Sequence, residues 1–216
     1  MKKIMFNDKC GLTYAVLQGR KTMTRRVVCL PEYWHGMWVW SFAFDKQSCS
    51  LRLYDADEFP MEDPDTGECA YVNPHYKIGE VVAVAQSYKS CGYTKEWVVQ
   101  HVRPNPNANY NDPFEKKYPG WNNKMFVRAD LMPRQIRITD IKVELVQNIS
   151  EEDCMKEGIS EMHTGYGYKY KGKYCIAYCR FPHIKDAFAD LFDEVSGKAL
   201  WKLNPYVFAY TFELVK

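Results

Sequence analysis

Residues 134–147 carry the longest strand signal in the chain, and its apolar parity changes part-way along. Ile136 and Ile138 fall on one alternation, whereas Ile141, Val143 and Leu145 fall on the other. Successive side chains of a strand point to opposite faces, so one inward face survives across this run only if a residue is inserted near Thr139 and Asp140. A β-bulge is therefore expected there. Residues 206–215 form a second strong strand, and residues 81–88 and 96–102 also read as strands. Ile184, Ala187, Phe188, Leu191, Phe192 and Val195 keep helical spacing between Pro182 and Gly197 and predict a core helix. The periodicities are of both kinds, which makes the fold class α+β.

With 216 residues the chain is long enough to bury a core without covalent staples. Its eight cysteines are scattered and include no C-x-x-C, so they read as reduced thiols of a cytoplasmic protein. Cys175, Cys179 and His183 lack a fourth partner at zinc-site spacing; no metal and no cofactor is expected. No apolar run has the length of a membrane span, so no membrane partner is expected. The net charge of +2 hides an asymmetry: residues 1–30 hold seven Lys or Arg against one acid, and residues 31–70 hold nine acids against two bases. Local basic character of this kind suits a phosphate-bearing partner.

The basic end contains Gly19-Arg20-Lys21-Thr22-Met23-Thr24-Arg25-Arg26, where a hydroxyl, an amine and three guanidinium groups crowd into eight residues. Residues 8–18 before it read as a helix with Leu12, Ala15 and Val16 on one face and Gly19 as left-handed C-cap. Residues 22–28 after it read as a strand, with Thr22, Thr24 and Arg26 on one face and Lys21 at the turn. An exposed basic turn would account for the residue types equally well.

The pattern G-x-K-x-x-T-x-R, here Gly19, Lys21, Thr24 and Arg26, resembles the signature of the ASCH domain, a PUA-like family associated with RNA. The nearest likeness is to small bacterial ASCH amidohydrolases that deacetylate acetylcytidine, whose motif G-R-K-T-I-T-I-R compares with G-R-K-T-M-T-R-R here. The turn at Gly79 and the closing N-P-Y-V-F-A-Y-T-F-E, similar to longer phage-associated ASCH-like proteins, extend the resemblance. It implies a mainly antiparallel β-barrel with peripheral helices, a single domain over residues 1–216 enlarged by insertions near 29–78, 103–123 and 160–181. In the first insertion residues 37–44 and 50–54 alternate as antiparallel strands, and Trp34, Trp38 and Trp40 suit core or base stacking. Residues 104–123 read as a long loop.

A short helix should follow Ser150, an N-cap with Asp153 at the capping-box position, and end at Gly158. That places Glu157 in the last turn, where the helix dipole disfavours a charged carboxyl. The resemblance implies that Lys21, Thr24 and Glu157 are catalytic, as general base, nucleophile and proton donor. Arg20, Arg25 and Arg26, with Tyr166, Tyr168, Lys169 and Lys171 of a Tyr/Lys ribbon that continues to Lys173, are the expected binding residues for RNA or a modified nucleoside, tyrosines on one side and lysines on the other. Three readings stay open: an amidohydrolase acting on acylated cytidine, a non-catalytic RNA-binding module, and a phage-derived protein that engages a host partner.

Overall fold

The computed structural model describes residues 1–171 and 176–215. In chain order these form β1 (Lys3–Ile4), α1 (Leu12–Leu17), β2 (Met23–Val27), β3 (Tyr33–Trp34), β4 (Met37–Trp38), β5 (Ser41–Asp45), β6 (Ser50–Tyr54), β7 (Tyr71–Val72) and β8 (Val81–Val84). They continue as α2 (Lys95–His101), α3 (Phe114–Lys117), β9 (Gln135–Leu145), α4 (Glu151–Lys156), β10 (Ser160–Met162), β11 (Gly165–Lys171), β12 (Ile176–Phe181), α5 (Ile184–Ser196), α6 (Leu200–Leu203) and β13 (Tyr206–Leu214).

The central sheet runs β1-β8-β9-β13-β2. Its β1–β8 pairing is parallel and its other three are antiparallel. The bulge falls where the parity switch demands it: Thr211 pairs with Asp140 and Phe212 with Ile138, leaving Thr139 as the inserted residue. Ile136, Ile138 and Ile141 are consequently all buried in one core. The fold is thus mixed α+β, with mostly antiparallel strands. Among the described residues no ladder joins β1 to β2, so the barrel implied by the resemblance is not closed. Its two edges are instead bridged by the Arg26 guanidinium donating to the Met5 carbonyl (2.5 Å), with the Phe6 ring 5.8 Å from that of Phe212 on the adjoining β13.

Residues 29–78 supply the expected antiparallel strands, with β3 on β4 and β5-β6-β7 as a three-stranded sheet. Leu51 of β6 enters the main core, whereas Trp38 and Trp40 are 61% and 71% exposed. Those two tryptophans are therefore not core residues.

Two sequence expectations fail between residues 85 and 132. The expected strand at 96–102 is helix α2, because Thr94 caps it, accepting from the Trp97 N–H, and because Val98 and Val102 lie one turn apart against a local core. Tyr93, Trp97 and His101 stack in sequence, with ring centroids 4.1 and 4.4 Å apart. The expected loop at 104–123 contains α3 and a 3-10 turn at Pro119–Trp121, held by Tyr118 and the close approach of Gly120 to the Tyr88 ring. A Cβ at Gly120 would lie 2.5 Å from that ring.

Candidate active site

The motif residues are positioned by three local devices. Helix α1 is shorter than residues 8–18, starting at Leu12 after a turn. Leu12, Ala15 and Val16 face the core, and Gly19 takes the left-handed backbone (φ +71°) that ends the helix. The Ala15 carbonyl then accepts from the N–H groups of both Arg20 and Lys21. Thr22 donates its N–H to the Lys156 carbonyl at 2.9 Å, tying the motif to the end of α4. Beyond it β2 forms an edge strand, with Thr24 opposite Tyr210 and Arg25 opposite Ala209 of β13.

Helix α4 brings the carboxylate. Ser150 Oγ accepts the Asp153 N–H at 3.1 Å, as the capping pattern requires, and Glu157 is the C-cap ahead of Gly158, whose φ is +102°. Gly158 packs against Leu12 and Lys21, where an added Cβ would lie 3.4 Å from Leu12 Cδ2. Residues 136 positions apart in sequence are thereby joined: Lys21 Nζ donates to Glu157 Oε2 at 2.5 Å and to the Glu157 carbonyl at 2.7 Å.

This pair is buried, with Lys21 2% and Glu157 4% exposed. Burial pushes the Lys21 ammonium below the ordinary lysine range, against the opposing pull of Glu157, and Arg26 and Arg25 push it the same way as burial. Thr24 is also buried and lines the same cavity as Lys21 and Glu157. The structure therefore brings the three expected catalytic residues together. Lys21 spends its hydrogen bonds on Glu157, however, and not on the Thr24 hydroxyl.

Arg25 occupies a different position from the one expected of it. Its guanidinium does not face solvent phosphate but is enclosed among three carboxylates: Glu157 Oε1 at 3.1 Å, Asp153 Oδ2 at 3.0 Å and Glu144 Oε1 at 2.6 Å. Lys142 closes the network on Asp153 (2.7 Å) and Glu144 (3.3 Å). Burial raises the Asp153 carboxyl, but Lys142 and Arg25 outweigh it and hold it below the ordinary aspartate range. Glu157 is thus not a lone carboxyl at a helix end; it is paired on both oxygens. Glu144 and Lys142 carry no motif and Asp153 reads from sequence only as a capping-box residue; the meeting of Glu144 and Lys142 with Arg25 depends on β9 and β2 both flanking β13, a register no local pattern encodes.

The cavity is small, with a volume of about 30 Å³. Phe6 and Leu12 wall one side, and Phe188, Leu191 and Phe192 of α5 wall the other. Helix α5, which reads from sequence as a core element without chemistry, thus lines the site. Cys154 is adjacent in sequence to Asp153, but burial pushes its thiol up to about 12, which leaves it protonated and unreactive at neutral pH.

The remaining expected residues lie outside this cavity or are only partly in it. Arg26 lines it while donating to Met5. Arg20 is exposed and bonds Gln18 Oε1 (3.0 Å) and Ser160 Oγ (3.3 Å). The Tyr/Lys ribbon does alternate, but Tyr168 faces inward. It is 3% exposed, with its hydroxyl donating to Asp190 of α5 at 2.5 Å, so it is not available to stack a base. Tyr166 packs partly buried on the same core. Both follow from β11 lying across α5, which turns the tyrosine face into core. Lys169 points the other way, its ammonium 5.6 Å from the Tyr14 ring centre. The side chain of Lys171 and the whole of Lys173 lie outside the described residues, as does Cys175. Among the described residues no cluster of His, Cys, Asp and Glu suits a metal ion, and no helix is long and apolar enough to cross a membrane.

Comparison of the chain with protein-family models, with curated proteins and with solved structures returns no match.

Proposed function

We propose that the protein is an ASCH-like amidohydrolase that removes a small acyl group from an acylated nucleoside, its sheet being an open form of the PUA-like barrel. One observation carries this reading: a buried lysine–glutamate pair shares one cavity with a buried threonine. Each type of group meets a need of amide hydrolysis. Thr24 is a weak nucleophile without a base, and a desolvated lysine supplies one once it is neutral. A proton moving from Lys21 to Glu157 within the pair would leave an amine and a carboxylic acid, the base and acid that the reaction requires.

The Thr24 oxygen attacks the acyl carbonyl carbon while its proton passes to neutral Lys21. The C–N bond breaks and the nucleoside amine leaves with the proton of Glu157. Water, deprotonated by the Glu157 carboxylate, then attacks the threonine ester; the ester C–O bond breaks, the Thr24 oxygen takes back its proton from Lys21, and the carboxylic acid is released. At about 30 Å³ the cavity suits only a few heavy atoms, since a single water needs about 10 to 15 Å³. An acetyl group fits that scale, and the base would lie outside it. Incubation with acetylcytidine, followed by chromatography, tests the reading: cytidine and acetate are expected, and no product from any acylated nucleoside would overturn it.

A second reading, a non-catalytic binding module, is favoured by the resting arrangement itself. Lys21 is tied to Glu157, and Arg25 occupies the other carboxylate oxygen, so both must rearrange before Thr24 is activated. Saturable binding of acetylcytidine without turnover would select it.

A further inference from the structure

A separate cavity of about 370 Å³ lies between the outer flank of α1 and the segment after β8, and none of the chemistry above uses it. Gln86 forms part of its wall, is 7% exposed, and has its Oε1 buried without a hydrogen-bond partner. A buried acceptor left open is rare in folded proteins and calls for a donor from water or from a ligand. Beside it the Ser87 and Ser90 hydroxyls are 2.7 Å apart, and the exposed Tyr14 ring stands at the rim. The charged groups there cancel, Lys124 Nζ lying 2.8 Å from Asp8 and bonding the Phe6 carbonyl and Thr13 hydroxyl besides. The cavity therefore suits a neutral, planar, hydrogen-bonding group.

Tyr14 and Gly11 also border a neighbouring cavity of about 300 Å³ of opposite character. Arg20 and Lys169 line it, facing the single carboxylate of Glu161. The hydrogen bonds of Arg20 go to neutral oxygens, and Lys169 lies over the Tyr14 ring. A cation pair with one aromatic ridge between it and a neutral polar cavity matches the two ends of a nucleotide.

We propose that the cavity at Gln86 is a nucleobase site, distinct from the one at Lys21, which takes a base with an exocyclic amino group while its phosphate crosses Tyr14 toward Arg20 and Lys169. A side-chain carboxamide that turns its enclosed Oε1 into the cavity is suited to such an edge, accepting from the amino group and donating to the adjacent ring nitrogen. The inference shares only its ligand class with the proposed hydrolase and stands if that activity is absent.

The test is an NMR titration of the full chain with cytidine 5′-monophosphate and, separately, adenosine 5′-monophosphate, following the Gln86 side-chain amide. Saturable shifts of that amide are expected, with binding weakened about tenfold by Gln86→Leu and by Tyr14→Ala. Lys21→Met should leave the affinity unchanged. Should Gln86→Leu fail to fold, Tyr14→Ala, at an exposed position, together with the amide shifts of the unaltered chain, still decides the matter. An unmoved Gln86 amide would assign the open acceptor to water and overturn the proposal. Equal affinity in the variants, or loss with Lys21→Met, would overturn it as well by placing the nucleotide elsewhere.

Discussion

Lys21 and Glu157 form a charge pair that water scarcely reaches, so removing either partner has two effects. Breaking a buried pair costs about 3 to 5 kcal/mol when the remaining charge is stranded, though Arg25 still pairs Glu157 when Lys21 is lost. Shape-matched changes separate chemistry from folding better than alanine. Lys21→Met and Glu157→Gln are each expected to lower turnover of acetylcytidine by about 10²- to 10⁴-fold with circular dichroism unchanged. Thr24→Ser should retain part of the activity and Thr24→Val none. Because neutral Lys21 with protonated Glu157 carries the same single proton as the resting pair, kcat/KM should fall on an alkaline limb as the pair loses that proton, at a pH below the ordinary lysine value of about 10.4 because burial holds Lys21 down. That limb should vanish in Lys21→Met; a fall that persists would assign it to another group.

Asp153 gives a stability prediction with the opposite pH sense. Its folded carboxyl is held below the unfolded value of about 3.9, so its ion pairs with Lys142 and Arg25 contribute fully above that pH and are lost as pH falls through the folded value. The urea midpoint should therefore fall below about pH 4, and Asp153→Asn should be less stable at neutral pH with a flatter acid limb. An acid limb as steep as that of the unaltered chain would show that another carboxylate dominates.

At the scale of elements, the site is a junction of three termini: the end of α1, the start of β2 and the end of α4. Each is set by a small number of backbone-directed groups. Ser150→Ala removes the cap of α4 and should cost about 1 kcal/mol in urea unfolding. Gly158→Ala forces a left-handed position on a residue with a Cβ, tight against Leu12, and should cost about 1 to 2 kcal/mol while displacing Glu157. Activity in Gly158→Ala should fall more than in Ser150→Ala at matched folded fraction, since only the former disturbs the wall against Lys21. Equal losses would mean that the junction tolerates the shift.

For the molecule as a whole, the modest net charge and the internal consumption of Arg25 limit the number of cations left for RNA. Arg20 and Lys169 line the cavity beside Tyr14. Binding to short single-stranded RNA is therefore expected to be weak, with log K falling against log salt at a slope near −1.4, about −0.7 for each of two phosphates. Arg20→Ala and Lys169→Ala should each reduce the slope by about 0.7 in a fluorescence titration. A steeper slope left unchanged by both would point to other cations of the chain.

The strands at 135–145 and 206–214, the bulge at Thr139, the helix at 184–196 and the cap at Ser150 were determined by the sequence alone, because each is a local period or a side-chain-to-backbone bond a few residues long. Lys21 and Thr24 stood out as residue types in a short motif, and the catalytic roles expected of them and of Glu157 came through resemblance. Tertiary structure decided what meets what. It turned the tyrosines of β11 into core by laying that strand on α5, and it made α2 a helix where a Trp-Val-Val run suggests a strand. It also converted Arg25 from a candidate phosphate ligand into the counterion of three acids. These outcomes rest on contacts separated by many tens of residues, whose energies depend on burial and sheet register, and neither quantity is written in any short stretch of chain.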